Sequence, residues 1–423
     1  MLVSGCDPRI IPGKTARMGT HRASDRRMIF HPLKTDYAGR GAPMFRLALK
    51  TGLLTVLTLG FYRFWMKTRM RRYYWSAIRP GGQPLEFTGT ATEMLTGFLT
   101  AVVFLAFYIG IVNLLLMFFS FSLFAGQAPA YVVSFVGLVP LIFFAQYRAR
   151  RYIFARTRWR GIRFGLEPGV KGFVWRSILW WSATVLTAGL LFPAQVWSLE
   201  KYRTDRTWYG DAQFAQGGDW KSLFGAMKHV YLGAAIAGGG AAAEYFLEDE
   251  IWLVAIAMGA VWTALGWAYW KAHRFKRLTE QKTVAGAGFR CTPRPGKLVG
   301  IYLGGSLAIS GILFALLFVF GIAVGVLFGV VDEDVLEAGM DITDLAQLPA
   351  WMGLVAGIFG YFTVFLFWGV LKEVFITMPI ARHFAETTEI VNGEGLSAVR
   401  QRDRDDFVEA EGFADALPLG DGI

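Results

Sequence analysis

Eight apolar runs dominate this chain, at roughly 47–65, 95–124, 131–146, 177–197, 225–247, 251–270, 298–331 and 350–371. Several reach the roughly 20 residues that a helix needs to cross about 30 Å of hydrocarbon, where every backbone N–H and C=O must be satisfied within the segment. That excludes an ordinary soluble enzyme. Of 423 residues, 54% are hydrophobic, 16% aromatic and 18% charged, and the mean hydropathy is +0.40. The expectation is an all-α polytopic membrane protein with six to eight transmembrane helices.

The net charge of +11 reports orientation first, because basic loops stay cytoplasmic. The basic residues sit in short segments abutting apolar runs, so a nucleic-acid partner is not expected. The connections segregate by charge. Segments 147–172 and 271–297 each hold eight basic residues against one acid, and 66–94 holds five against two. Residues 125–130 carry no charge, 248–250 read Glu-Asp-Glu, and 332–348 hold six acids and no Lys or Arg. If all eight runs crossed, 147–172 and 271–297 would face opposite sides, against the positive-inside rule. The conflict disappears if the first and fourth runs, 47–65 and 177–197, are re-entrant or interfacial, leaving six spans as three hairpins with both termini cytoplasmic. The alternative is that both are ordinary spans, since 19 residues can cross.

Those two runs share the pattern TVLTxG, at 55–60 and 184–189. Gly60 and Gly189 are candidate re-entrant turns, and Pro193 would break the second helix soon after. A second repeat is a basic-aromatic cluster followed by Gly and Phe: Arg71-Arg72-Tyr73, Arg150-Arg151-Tyr152, Lys201-Tyr202-Arg203, His273-Arg274-Phe275 and Arg382-His383-Phe384. The glycine-phenylalanine partners are Gly82/Phe87, Gly161/Phe164, Gly210/Phe214 and Gly288/Phe289, with Gly395-Leu396 after the last cluster. This spacing suits a helix end, a turn and a short strand, so internal repeats with short β-like cytoplasmic arms are expected.

No P-loop, HExxH, GxSxG or paired intramembrane carboxylates occur, and Cys6 and Cys291 lie far apart, so no catalytic residue, cofactor or metal is assigned and the chain is not read as an enzyme. Polar groups at membrane depth are costly, which singles out Asn113, His229 and Glu244. Arg71, Arg72, Arg150, Arg151 and Arg274 are candidate contacts for an anionic solute or lipid headgroup, converging on a cytoplasmic mouth, while their interleaved aromatics would sit at headgroup depth. The acidic tail, with Asp403, Asp405, Asp406, Glu409 and Glu411, could dock there as a lid. Two functions stand: transport or channelling of an anionic solute, and a structural or lipid-organising role. The chain divides into a mobile basic extension (1–27), a repeated transmembrane domain (28–400) and the tail (401–423). Val3-Ser4-Gly5-Cys6 matches a lipoprotein cleavage box by chance, lacking an apolar stretch before it; Met18 and Met28 are further candidate starts. Membrane lipids are the expected partners, and no oligomeric state is read.

LLTVLTLGFYRFWMKTRMRRYYW at 53–75, continuing into GGQPLEFTGTATEML at 81–95, resembles the opening motif of the YjgN-like family of bacterial inner-membrane proteins. TRWRGIRF at 157–164, LTAGLLFPAQVWSLEKYR at 186–203, GEGLSAVRQ at 393–401 and EGFADALPLGDGI at 411–423 are similar to its later motifs, so the likeness covers about residues 28–423. The separated Pro193 and the first 27 residues depart from the pattern. The resemblance implies an inner-membrane location and brings no catalytic residues.

Overall fold

The computed structural model describes residues 32–124, 127–327 and 350–403. Thr90 caps the helix that begins at Ala91: its hydroxyl accepts from the Glu93 backbone N–H at 3.3 Å, in the T-x-x-E arrangement that satisfies a helix's first orphan donors.

The chain repeats one unit five times, a strand, a helical hairpin and a second strand. The first unit runs β1 (Leu33–Tyr37), α1 (Gly41–Leu57), α2 (Arg63–Ala77) and β2 (Ile78–Pro80). The second runs β3 (Leu85–Phe87), α3 (Ala91–Phe107), a π-helical turn (Tyr108–Asn113), α4 (Leu114–Phe124), α5 (Gln127–Ala155) and β4 (Thr157–Trp159). The third comprises β5 (Ile162–Leu166), α6 (Val170–Leu186), α7 (Phe192–Thr204) and β6 (Thr207–Tyr209). In the fourth, β7 (Ala212–Gln216) leads to α8 (Phe224–Leu247), α9 (Trp252–Glu280) and β8 (Lys282–Val284). The fifth holds β9 (Ala287–Cys291), α10 (Pro295–Leu327), α11 (Ala350–Lys372), a second π-helical turn (Glu373–Thr377), α12 (Met378–Glu386) and β10 (Thr388–Val391).

The strands form one ten-stranded antiparallel sheet in the order β2-β1-β10-β9-β8-β7-β6-β5-β4-β3. This corrects the all-α expectation, and the β-like arms are parts of a single sheet. Strands of three to five residues are too short to imprint a period of two on the sequence. The two strands of each unit are neighbours, and consecutive units are joined by tight turns. The sheet's outermost strands, β2 and β3, are themselves joined by residues 81–84, so the order returns on itself as a barrel-like ring. The chain's two ends close it, with Leu33 paired to Ile390. Turns at Arg160-Gly161 and Ala285-Gly286 have both residues at positive φ, the conformation that matches strand twist in two-residue hairpins. The fourth unit's turn glycine is therefore Gly286; Gly288 lies within β9.

Side chains from around the ring meet in one core of Trp159, Tyr209, Val284, Ala287 and Ile390, flanked by Leu33, Leu85, Ile162, Phe164, Phe214 and Phe289. The rings of Phe164 and Tyr209 lie 4.9 Å apart, and burial raises the pKa of the Tyr209 hydroxyl, which donates to the Trp159 carbonyl at 3.1 Å. Residues 393–403 form a strap across the hairpin tips. Its Leu396 and Val399 enter the core, the Asp211 N–H donates to the Arg400 carbonyl at 2.9 Å, and the Arg400 N–H donates to Asp211 Oδ1 at 2.9 Å.

The units differ in hairpin length. α1 and α6 have 17 residues each, about 26 Å at 1.5 Å per residue, and then the chain turns back. The two TVLTxG motifs build this turn identically. Gly60 (φ +94°) and Gly189 (φ +88°) take positive φ after Leu59 and Ala188, which do so too. Their N–H groups reach back to the Thr55 and Thr184 carbonyls at 2.7 and 2.8 Å. Thr58 and Thr187 donate to the carbonyls of Leu54 and Ala183, and their hydroxyls accept from the N–H of Tyr62 and Leu191 in the following segment. Pro193 sits in the first turn of α7, where its missing N–H costs nothing.

Among the described residues, five helical segments are long and apolar enough to cross a membrane: Ala91–Ser122, Trp220–Leu247, Trp252–Glu280, Pro295–Val324 and Gly353–Glu386. The apolar run 131–146 lies in α5, which contains Pro140. Each hairpin begins and ends on adjacent strands of the ring, so each whose chain is described throughout its turn leaves and returns on the same side. The acidic segment 332–348 lies outside the described residues.

A Cβ on Gly395 would collide with the Ala285 carbonyl, whereas one on Gly393 meets nothing closer than 3.5 Å. Gly395→Ala is therefore expected to cost about 1–3 kcal/mol by overpacking the strap, and Gly393→Ala to cost clearly less. Thermal melting of the detergent-solubilised protein checks this; equal melting temperatures for the two variants would contradict the strap's close seat on the ring.

Candidate functional site

The basic-aromatic clusters fall where helices meet strands, and the geometry does not gather their arginines on a common mouth. Arg71 is buried with its guanidinium 5.1 Å from the Phe87 ring and 5.8 Å from Trp75. Arg72 Nη2 donates to the Gly89 carbonyl at 2.8 Å. Buried Arg151 donates from Nε to the Leu166 carbonyl at 3.0 Å, and Arg150 reaches Glu200 at 3.4 Å. Arg274 is exposed on α9. These contacts root helices on the ring, with stems and planar heads covering apolar surface. The aromatic partners do the same: Tyr152 Oη donates to Glu93 Oε2 at 3.1 Å, and Tyr202 Oη to the Gly169 carbonyl at 2.8 Å.

Of the polar residues singled out at membrane depth, His229 is half-buried between α8 and α9, its ring 4.7 Å from Tyr269. Glu244 is exposed near the end of α8. Asn113 ends the first π-helical turn, and its side chain lies outside the described residues, as do Asp405, Asp406, Glu409 and Glu411. Small residues do bring α8 and α9 together: a Cβ on Gly233 or Gly259 would strike the facing helix. Cys291 is buried, and burial raises its thiol pKa, which makes it a poor nucleophile. No cluster of three or more His, Cys, Asp and Glu among the described residues is placed to hold a metal.

Two cavities among the described residues bear on function. One, of about 500 Å³, lies between α1 and the α10–α11 hairpin, walled by Phe45, Ile312, Leu316, Phe367 and Leu371 with Arg46 at its edge. Arg46 and Lys50, one turn apart on α1, are exposed, and neither makes an ion pair or side-chain hydrogen bond among the described residues. The other, of about 410 Å³, lies between the base of α5, β5 and the strap. Arg151, Arg156, Arg163 and Arg402 line it together with Trp208, Glu167 and Asp403. Sequence reasoning picked Arg151 and Asp403 but had no means of joining them to Arg163, Arg402 and Trp208, which topology alone brings together.

Sequence reasoning also missed Glu200, a lone acid inside a basic cluster. Its buried carboxylate takes Lys282 Nζ at 2.6 Å and Arg150 Nη2 at 3.4 Å on Oε1, and Arg203 Nη2 at 2.9 Å on Oε2. The four groups come from α5, α7 and β8, so one carboxylate ties three successive units. Burial alone would raise its pKa, but Lys282, Arg150 and Arg203 outweigh burial and hold it well below the ordinary carboxylate range. A depressed native pKa contributes stability above the unfolded value of about 4.3, lost as pH falls through the native one. Glu200→Gln, which leaves three cations around a neutral amide, is expected to cost about 3–5 kcal/mol at neutral pH. Melting curves against pH should show that deficit constant down to about pH 5 and shrinking below about pH 4; a pH-independent deficit would contradict the ionised node.

The sequence was compared with known proteins. No solved structure matches the chain. Two Escherichia coli proteins named inner membrane protein YjgN are 29% and 26% identical to it over 139 residues, and the Salmonella typhimurium protein of that name is 29% identical over 140. These matches span 33% of this chain and 32% of each relative. The family described as bacterial protein of unknown function (DUF898) matches residues 32–416, which run from the strand that closes the ring through the strap and into the acidic tail. A multi-pass helical membrane protein whose relatives are inner-membrane proteins, this chain belongs to the DUF898, YjgN-like family.

Proposed function

We propose that this protein organises anionic lipid at the cytoplasmic face of the inner membrane, with its ring and both termini in the cytoplasm. The carrying observation is the apolar groove between α1 and the α10–α11 hairpin, with Arg46 at its edge and Lys50 one turn further along α1. An acyl chain fits walls of Ile312, Leu316, Phe367 and Leu371, while the two cations meet the phosphate, each contributing about 1 kcal/mol near the surface. Because α1 turns back after 17 residues, the space above the short hairpin is left to lipid. The basic segments 147–172 and 271–297, which flank ring strands, support the cytoplasmic orientation.

Passage of an anionic solute is the other reading, and the ring speaks against a central path for it. Trp159, Tyr209, Phe164 and Phe214 fill the ring's interior, and the strap packs Leu396 and Val399 into the same core. Retention of phosphatidylglycerol through detergent purification, counted by native mass spectrometry, tests the lipid reading. The Arg46→Ala/Lys50→Ala double variant is expected to bind this lipid at least about tenfold more weakly than wild type. Arg160→Ala, at a hairpin tip, should match wild type. Equal retention by all three proteins would sink the proposal, and phosphate flux into proteoliposomes would favour transport.

A further inference from the structure

We propose that the arginine-lined cavity between α5, β5 and the strap is a binding site for a phosphate-bearing anion, separate from the lipid groove. Arg151 comes from α5, Arg156 from the turn that follows it, Arg163 from β5 and Arg402 from the strap. Four guanidinium groups thus share one cavity of about 410 Å³ with Glu167 and Asp403, and Arg156 also pairs with Glu93, its Nε 3.1 Å from Oε2. Guanidinium groups match phosphate oxygens in planar, bidentate fashion, and a tetrahedral phosphate offers several such edges at once. A monocarboxylate offers one.

The cavity's walls suit a ligand with more than charge. The Trp208 indole lines it and is held by its Nε1 donating to Glu167 Oε1 at 2.7 Å. The Arg402 guanidinium lies 4.7 Å from that ring and 4.0 Å from Glu167 Oε1. That ion pair is loose beside the 2.9 Å between Arg203 and Glu200, and the Arg402 side chain is 53% exposed. Arg402 can therefore move from Glu167 to a phosphate without breaking a tight pair. The strap is anchored next to it, where the Arg163 N–H donates to Gln401 Oε1 at 2.9 Å. A bound phosphate bridging Arg163 and Arg402 would fasten the strap to β5.

The cavity lies where α5 reaches the ring, beside Glu167 and Pro168 at the approach to α6. A soluble phosphoester and a lipid headgroup share the chemistry. The experiment uses the full chain in phosphatidylcholine nanodiscs, titrated with pyrophosphate in a calorimeter. Wild type is expected to bind saturably, Arg163→Gln and Arg402→Gln each about tenfold more weakly, and Arg163→Lys to recover only part of the loss because the charge returns without the fork. Arg79→Gln, on β2 outside the cavity, should bind like wild type. Competition by phosphatidylglycerol added to the nanodiscs identifies a headgroup site, and binding indifferent to that lipid identifies a soluble phosphate site; either supports the proposal. Absence of saturable binding, or equal losses in Arg79→Gln and Arg402→Gln, would overturn it.

Discussion

The pairing of the chain's two ends, β1 against β10, is the constraint on which the rest of the structure depends. Isolated hairpins with strands of three to five residues are marginal in water. Here each strand except β2 contributes only one or two residues to the core, and the core becomes substantial only when all units contribute. Leu33 and Ile390, from opposite ends of the chain, stand side by side in it. A chain lacking either terminal strand would expose a ladder edge on its neighbour and open that core to water. Closure also carries an entropic cost, because positions 33 and 390 must be brought together. Glu200 works at a shorter range to the same end: its ion pairs tie three successive units together.

With the roots fixed, the hairpins above them are free to vary. The strand pairs are alike, and basic and aromatic side chains anchor the helices to them through ring contacts and carbonyls. Above that level, α6 stops after 17 residues while α10 continues for 33. The difference is written in the TVLTxG motif, where a threonine hydroxyl and two residues at positive φ reverse the chain after 17 residues. The motif is thus a length-setting device, and its two copies place short hairpins on both sides of the α3–α5 hairpin.

Much of this was legible in the sequence. The apolar runs located the long helices, since roughly 20 apolar residues permit little else. The repeated clusters marked the units. The ring was not legible. Its strands are too short for periodicity, its closing strand Leu33–Tyr37 lies before the first cluster, and Gly288 was the wrong glycine for the turn because Ala285 takes positive φ without announcing it. Arg71, Arg72, Arg150 and Arg151 read as one ligand cluster along the sequence, but the fold gives Arg71, Arg72 and Arg150 separate partners and sets Arg151 in the cavity beside the strap. Glu200 sits fifty residues from Arg150, a distance no local pattern can report.

A filled ring changes where function can reside. A hollow ring at a membrane surface would invite a path along its axis, but this one is packed with tryptophan, tyrosine and phenylalanine and crossed by its own C-terminal strap. The open spaces lie outward, and both of these cavities sit at the seams between units. One joins the first and fifth units in the apolar layer, and the other joins the second and third at the ring, where the strap reaches them. Each combines cations with a shape that neighbouring units create together. Ligands held there would report on the spacing of the units. A phosphate bound between β5 and the strap would also load the segment that seals the core, so occupancy of the cavity and rigidity of the ring are linked by the same residues, Arg163, Gln401 and Arg402.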